Sequence, residues 1–132
     1  MSKWTKEQND AIFSKWRDEE KTLSSNILVN AAAGSGKTAV LVERIINKIC
    51  SDVNSPDFCD ISNILVVTFT NAAAKEMKQR ISDSLNQKFS DAVNNNDLIF
   101  SEHLKKQIKN INHADITTID SFCLKIVRNY FI

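Results

Sequence analysis

The sequence predicts an α/β domain in which a parallel sheet is flanked by helices, and three observations predict it. Short apolar runs alternate with stripes of helical spacing along the whole chain. The run at 64–67, Ile-Leu-Val-Val, is unbroken, as in a strand covered on both faces. The only two glycines, Gly34 and Gly36, fall in one loop between an apolar run and a helical stripe. That order favours an open sheet with crossover connections.

Thr5 followed by Gln8 fits a capping box, and Ala11, Ile12 and Trp16 supply an apolar stripe, so 5–17 reads as a helix with 17–21 as its solvated end. Residues 26–30 read as a strand that runs into the glycine loop. Leu41, Val42, Ile45, Ile46 and Ile49 then mark a helix. The Asn-Ser-Pro-Asp stretch at 54–57 makes 51–60 a connection, and 61–69 reads as a second strand. A long helix is expected over 71–92, with Ala73, Met77, Ile81, Leu85 and Phe89 on one stripe. The Asn run at 94–96 marks a surface loop. Phe100, Leu104, Ile108 and Ile111 mark another helix, 114–118 a short strand, and 121–131 a final helix.

The composition is that of an ordinary folded chain: 132 residues, 42% hydrophobic and 25% charged. Seventeen basic against sixteen acidic residues give a net charge of +1, so overall charge argues for no particular partner. Cys50, Cys59 and Cys123 are odd in number and lack ligand spacing, which predicts buried thiols in a reducing cytoplasm rather than disulfides or zinc. The N-terminus has no apolar leader and no apolar run approaches a membrane span, so no membrane association is expected. His103 and His113 are expected at the surface. Lys105, Lys106 and Lys109 read as a solvated helix face.

The chemistry concentrates in one segment. Ala31-x-x-x-x-Gly36-Lys37-Thr38 matches the phosphate-loop pattern, with Ala at its first position where Gly is commoner. Glycines at 34 and 36 let backbone N–H groups curl around a phosphate, and the helix that follows adds its positive end. Lys37 would neutralise the β- and γ-phosphates, and the Thr38 hydroxyl would ligate Mg²⁺. The bland alternative is a strand-to-helix turn carrying a surface lysine. Hydrolysis further needs carboxylates at the end of an apolar strand. The only acidic cluster of that type, Asp18-Glu19-Glu20, does not follow one, so this chain by itself is expected to bind nucleotide weakly and hydrolyse essentially none.

Three segments together carry a family resemblance: Gln8, the 31–38 loop, and Val67-Thr68-Phe69-Thr70-Asn71-Ala72-Ala73-Ala74-Lys75-Glu76-Met77. They resemble the opening motifs of UvrD/Rep-like superfamily 1 DNA helicases. The run at 31–45 and Ser121-Phe122-Cys123 resemble more closely the AddA type of helicase–nuclease subunit. The resemblance covers nearly the whole chain but only the start of such proteins. It implies that 1–132 is the incomplete front of an ATP-binding domain, a partial RecA-like P-loop NTPase fold short of sheet strands, with apolar edges exposed and marginal stability.

The resemblance also implies roles. Gln8 would read adenine, against the alternative that it is occupied as a helix cap. ATP would lie on Ala31, Ala32, Ala33, Gly34, Ser35, Gly36, Lys37 and Thr38, with Mg²⁺ on Thr38. Thr68, Phe69, Thr70, Asn71 and Ser121 would contact single-stranded DNA, against the alternative that Thr70 or Asn71 caps a helix and Phe69 fills the core. Asp120 stands where such proteins often carry His; a carboxylate there suits an N-cap at least as well as a DNA contact. The implied activity is ATP-driven unwinding of DNA ends with an associated exonuclease, in recombinational repair of double-strand breaks, beside an AddB-type partner. Two other readings of the residues alone are a small P-loop kinase, which would need clustered arginines where Arg17, Arg44, Arg80 and Arg128 are scattered, and a non-enzymatic nucleotide- or DNA-binding module.

Overall fold

A computed structural model describes residues 3–14, 17–18, 21–24 and 26–131, the two short segments 17–18 and 21–24 by backbone alone. Two compact units result, 1–58 and 59–132.

In the first unit, helix α1 (Lys6–Phe13) opens with the expected capping box. Thr5 Oγ1 accepts the Gln8 N–H at 3.3 Å, and Gln8 Oε1 accepts the Thr5 N–H at 2.9 Å. The helix is shorter than the predicted 5–17, and Trp16 lies outside the described residues. Arg44 takes up carbonyls left at that end. Its guanidinium donates to the carbonyls of Ala11, Ile12 and Ser14 at 2.7, 3.1 and 3.1 Å, two of them from Nη1 and the last from Nη2. A continuing helix would give those carbonyls to N–H groups four residues on. Beyond the stop, β1 (Arg17–Asp18) pairs antiparallel with β2 (Lys21–Ser24) where a solvated helix end was expected.

Helix α2 (Lys37–Ile49) packs on α1. Ile12 of α1 and Val40, Val42, Ile45, Ile46 and Ile49 of α2 are buried, whereas Leu41 of the predicted stripe is 41% exposed. Each buried aliphatic side chain contributes roughly 1.5–3 kcal/mol of transfer free energy. Lys48, also buried, meets Asp57 at 3.4 Å near the C-terminal end of α2, where the helix dipole favours a cation. The predicted strand at 26–30 has no regular structure, and Ile27, Leu28 and Val29 are exposed. A strand exists only through a ladder partner, and among the described residues the parallel pairing joins β3 and β4 alone.

In the second unit, β3 (Leu65–Thr68) pairs in parallel with β4 (Asp115–Thr118), with Leu65 opposite Asp115 and Thr68 opposite Thr118. The long crossover between them consists of α3 (Asn71–Asn94) and α4 (Leu98–Asn110), which pack on each other. Asn96 turns the chain between them at φ 56°, a left-handed position that Asn tolerates, and Asp97 Oδ1 caps α4 through the Phe100 N–H. The core gathers Ile61, Val66, Met77, Ile81, Leu85, Leu104 and Ile111. On α3, Ala74 takes the place predicted for Ala73, and Phe89 is only half-buried.

Two expectations for this unit change. Residues 61–63 form a 3₁₀ turn, so the strand is Leu65–Thr68 rather than 61–69. That turn is held by Asp60, which accepts from the backbone and hydroxyl of Ser62, and from Gln107 and Asn110. Nor is the strand covered on both faces: Val66 is buried, while Leu65 and Val67 are 47% and 43% exposed, an alternation with the period of a strand covered on one side. Helix α5 (Ile119–Tyr130) follows β4 directly and buries none of its side chains. Cys123 lies on it and is exposed, and Cys50 and Cys59 are half-buried, so none of the thiols is a core residue as predicted. His113 is exposed, and half-buried His103 stacks on Phe100. Lys105, Lys106 and Lys109 are exposed.

Candidate functional site

The 31–38 loop is shaped by its glycines. Gly34 and Gly36 have φ of +77° and +81°, a region L side chains adopt at a cost, so glycine at both positions follows from the backbone. Gly36 is the N-cap of α2 and makes no side-chain cap hydrogen bond, and the first turn of α2 contains no acidic residue. A helix start of this kind offers N–H donors and positive potential to an anion. Lys37 Nζ reaches back over the loop, donating to the carbonyls of Ala31 at 2.6 Å and Ala32 at 3.2 Å. Thr38 is exposed in the same turn. These donors, one cation and one hydroxyl fit a magnesium–triphosphate group: they supply charge and donors where it carries acceptors.

Gln8 stands against this loop. Its Oε1 is engaged by the helix cap, as the bland alternative anticipated, but its Nε2 also donates to the Ser35 carbonyl at 3.2 Å. A pocket of about 300 Å³ opens here, lined among others by Glu7, Gln8, Asn30, Ser35 and Lys37. Gln8 and the loop predicted to hold nucleotide are therefore brought together. The Ser35 carbonyl as the partner of Gln8 was not legible, because a backbone acceptor leaves no residue-type signal.

The second cluster lies at the C-terminal ends of β3 and β4. Because these strands are parallel and in register, Thr68 and Thr118 end side by side and each chain turns into a helix there. Thr70 caps α3 by accepting the Ala73 N–H at 3.1 Å, and the Thr68 hydroxyl donates to the Thr70 carbonyl at 2.9 Å. The capping alternative thus holds for Thr70. It fails for Phe69, which is 92% exposed rather than part of the core. Asn71 is exposed beside it. At the neighbouring strand end Thr118, not Asp120, is the N-cap: its Oγ1 accepts the Ser121 N–H at 3.2 Å and donates to Ser121 Oγ at 2.8 Å. The Thr-x-x-Ser spacing was the available signal for that cap. Asp120 sits exposed in the first turn of α5, favourably placed toward the helix dipole. Among the described residues no group of His, Cys, Asp and Glu could hold a metal ion, and no helix is long and apolar enough to cross a membrane.

With the glycine loop opening α2 and the strand ends at Thr68 and Thr118 described, comparison with known families places the chain: residues 10–132 match the UvrD/REP helicase N-terminal domain. The chain belongs to that family. Over 130 residues, 98% of its length, it is 48% identical to proteins from Bacillus cereus, Bacillus thuringiensis and Bacillus mycoides that are named as subunits of an ATP-dependent helicase/nuclease. It spans 9% of the length of each of those relatives.

Proposed function

We propose that this chain is the nucleotide-binding front of an ATP-dependent DNA helicase/nuclease of the AddA type, acting in the cytoplasm on single-stranded DNA and duplex ends in recombinational break repair. An AddB-type protein is its partner in the complete assembly. In this reading 1–132 is the first part of a RecA-like ATP-binding domain. The loop at 31–38 cradles the phosphates of ATP, Lys37 moves from the Ala31 and Ala32 carbonyls to the β- and γ-phosphates, and Thr38 holds Mg²⁺. Gln8 reads the adenine. Thr68, Phe69, Thr70, Asn71 and Ser121 meet the DNA strand, with Phe69 as the stacking surface.

The observation that carries the reading is the loop itself, with two glycines at positive φ and an uncapped helix start followed by an exposed lysine. The identity to named helicase/nuclease subunits supports the direction of the chemistry. A P-loop kinase fits less well, since Arg44 is engaged with the end of α1 and Arg80 with Glu76 at 2.7 Å. The sequence has no apolar strand ending in paired carboxylates after the loop, so phosphate release by this chain alone is expected to be negligible.

Nucleotide titration with Mg²⁺ on the wild type and on Lys37→Ala tests the reading. Loss of the ammonium is expected to weaken ATP binding roughly ten- to a hundredfold, the worth of a charge-assisted hydrogen bond. Unchanged affinity overturns the phosphate role, and robust DNA-stimulated hydrolysis by the isolated chain overturns the view that its catalytic carboxylates lie elsewhere.

A further inference from the structure

The contact between Gln8 and the loop has a consequence separate from adenine recognition. Gln8 Oε1 is pinned by the Thr5 N–H at 2.9 Å, which orients the amide so that Nε2 is presented to the Ser35 carbonyl at 3.2 Å. The peptide joining Ser35 to Gly36 is trans, so its N–H points opposite to its carbonyl. With the Ser35 carbonyl turned to Gln8, the Gly36 N–H is turned away from Gln8 and left for an anion. The approach is close: a Cβ at residue 36 would lie 3.4 Å from Gln8 Nε2. The two helices are tied a second time, because Arg44 in the middle of α2 donates to three carbonyls at the end of α1. Gln8, Ser35, α2, Arg44 and α1 thus close a ring that passes through the end of the loop next to α2.

We propose that Gln8 is a positioning residue for the phosphate loop, holding the Ser35–Gly36 peptide in its anion-receiving orientation whether or not a base is present. The proposal rests on the reading that 31–38 takes nucleotide phosphates. A ligand that has phosphates but no base separates it from adenine recognition.

Inorganic tripolyphosphate and ATP, each with Mg²⁺, are titrated calorimetrically into the purified protein and three variants. Gln8→Met is expected to weaken tripolyphosphate binding roughly three- to tenfold, the loss of one hydrogen bond's worth of preorganisation, and to weaken ATP at least as much. Gln8→Glu keeps an acceptor for the Thr5 N–H, and hence the helix cap, but cannot donate to Ser35; it is expected to show the loss as well. Thr5→Ala removes the Oγ1 cap and leaves both Gln8 contacts, so tripolyphosphate affinity is expected to stay within about twofold while α1 loses stability.

Tripolyphosphate binding by Gln8→Met or Gln8→Glu at wild-type strength overturns the proposal alone. An equal loss in Thr5→Ala also overturns it, because the effect then belongs to helix capping. A wild-type protein that binds neither ligand overturns the nucleotide reading and this proposal with it.

Discussion

Thr68 and Thr118 stand opposite each other at the ends of the parallel strands β3 and β4, 50 positions apart in sequence and neighbours in the sheet. The register joins two polar segments that the sequence presents separately, 68–71 and 117–122. Ends of parallel strands are where open α/β sheets receive ligands, because the chain there turns into helices whose N–H groups and polar caps face outward. Within this unit the two segments form one polar margin, with Phe69 projecting from it.

Phe69 is 92% exposed, so its ring contributes almost nothing to the core. Phe69→Ala is expected to leave the melting temperature essentially unchanged and to weaken binding of an oligo-dT strand by about 1–3 kcal/mol, the worth of a base–aromatic stack. Fluorescence anisotropy at two salt concentrations checks this; equal affinity for both proteins removes Phe69 from the interface.

Gly36 has φ +81° at the N-cap of α2. Gly36→Ala forces an L side chain into that region, at a cost of about 1–2 kcal/mol, and sets its Cβ 3.4 Å from Gln8 Nε2. Thermal denaturation should show a loss of that order, and ATP affinity should fall with it. Gly34→Ala carries the same backbone cost at φ +77° but meets nothing within 4 Å, so it leaves the Gln8 contact intact.

Gln107 is fully buried and bridges two groups: its Oε1 accepts the Ile61 N–H and its Nε2 donates to Asp60 Oδ2, both at 2.9 Å. Gln107→Leu keeps the volume but strands the Ile61 N–H, so a destabilisation of about 1–3 kcal/mol is expected in urea denaturation. The same variant should raise the Asp60 pKa toward its ordinary value, measurable by carboxyl NMR titration.

Burial by itself would raise the Asp60 pKa, but hydrogen bonds from Gln107, from the side chain and backbone of Ser62, and from Asn110 outweigh it and hold the group at about 2 against an ordinary 3.8. A carboxyl depressed in the folded state favours folding above its unfolded value and loses that contribution as pH falls through the folded value. Stability should therefore decline between about pH 4 and pH 2, with part of the slope absent in Asp60→Asn. Denaturation midpoints of the two proteins across that range decide it; parallel curves would remove Asp60 as a contributor.

Much of this was legible in the sequence because it rests on local chemistry. The capping box at Thr5 and Gln8, the two glycines before Lys37, the stripes on α2 and α3, and the Asn turn before Asp97 are each set by residues within a few positions of one another. What is not legible there depends on distant partners. Residues 26–30 are apolar enough for a strand, yet a strand needs a neighbour to share its hydrogen bonds, and periodicity does not reveal whether one is there. The run at 64–67 reads as covered on both faces from composition alone, whereas Leu65 and Val67 are left open.

The sequence by itself determined where the proposed phosphate loop lies, since its pattern is a matter of residue type and spacing along a few positions of backbone. Only the tertiary structure decided how those residues are held. Arg44 on the next helix caps the end of α1, Gln107 fastens Asp60 from 47 residues away, and Gln8 reaches the Ser35 carbonyl across 27. Each of these bonds ends on a backbone group or joins side chains that no short-range pattern links. Their geometry exists only after apolar burial has brought the helices together.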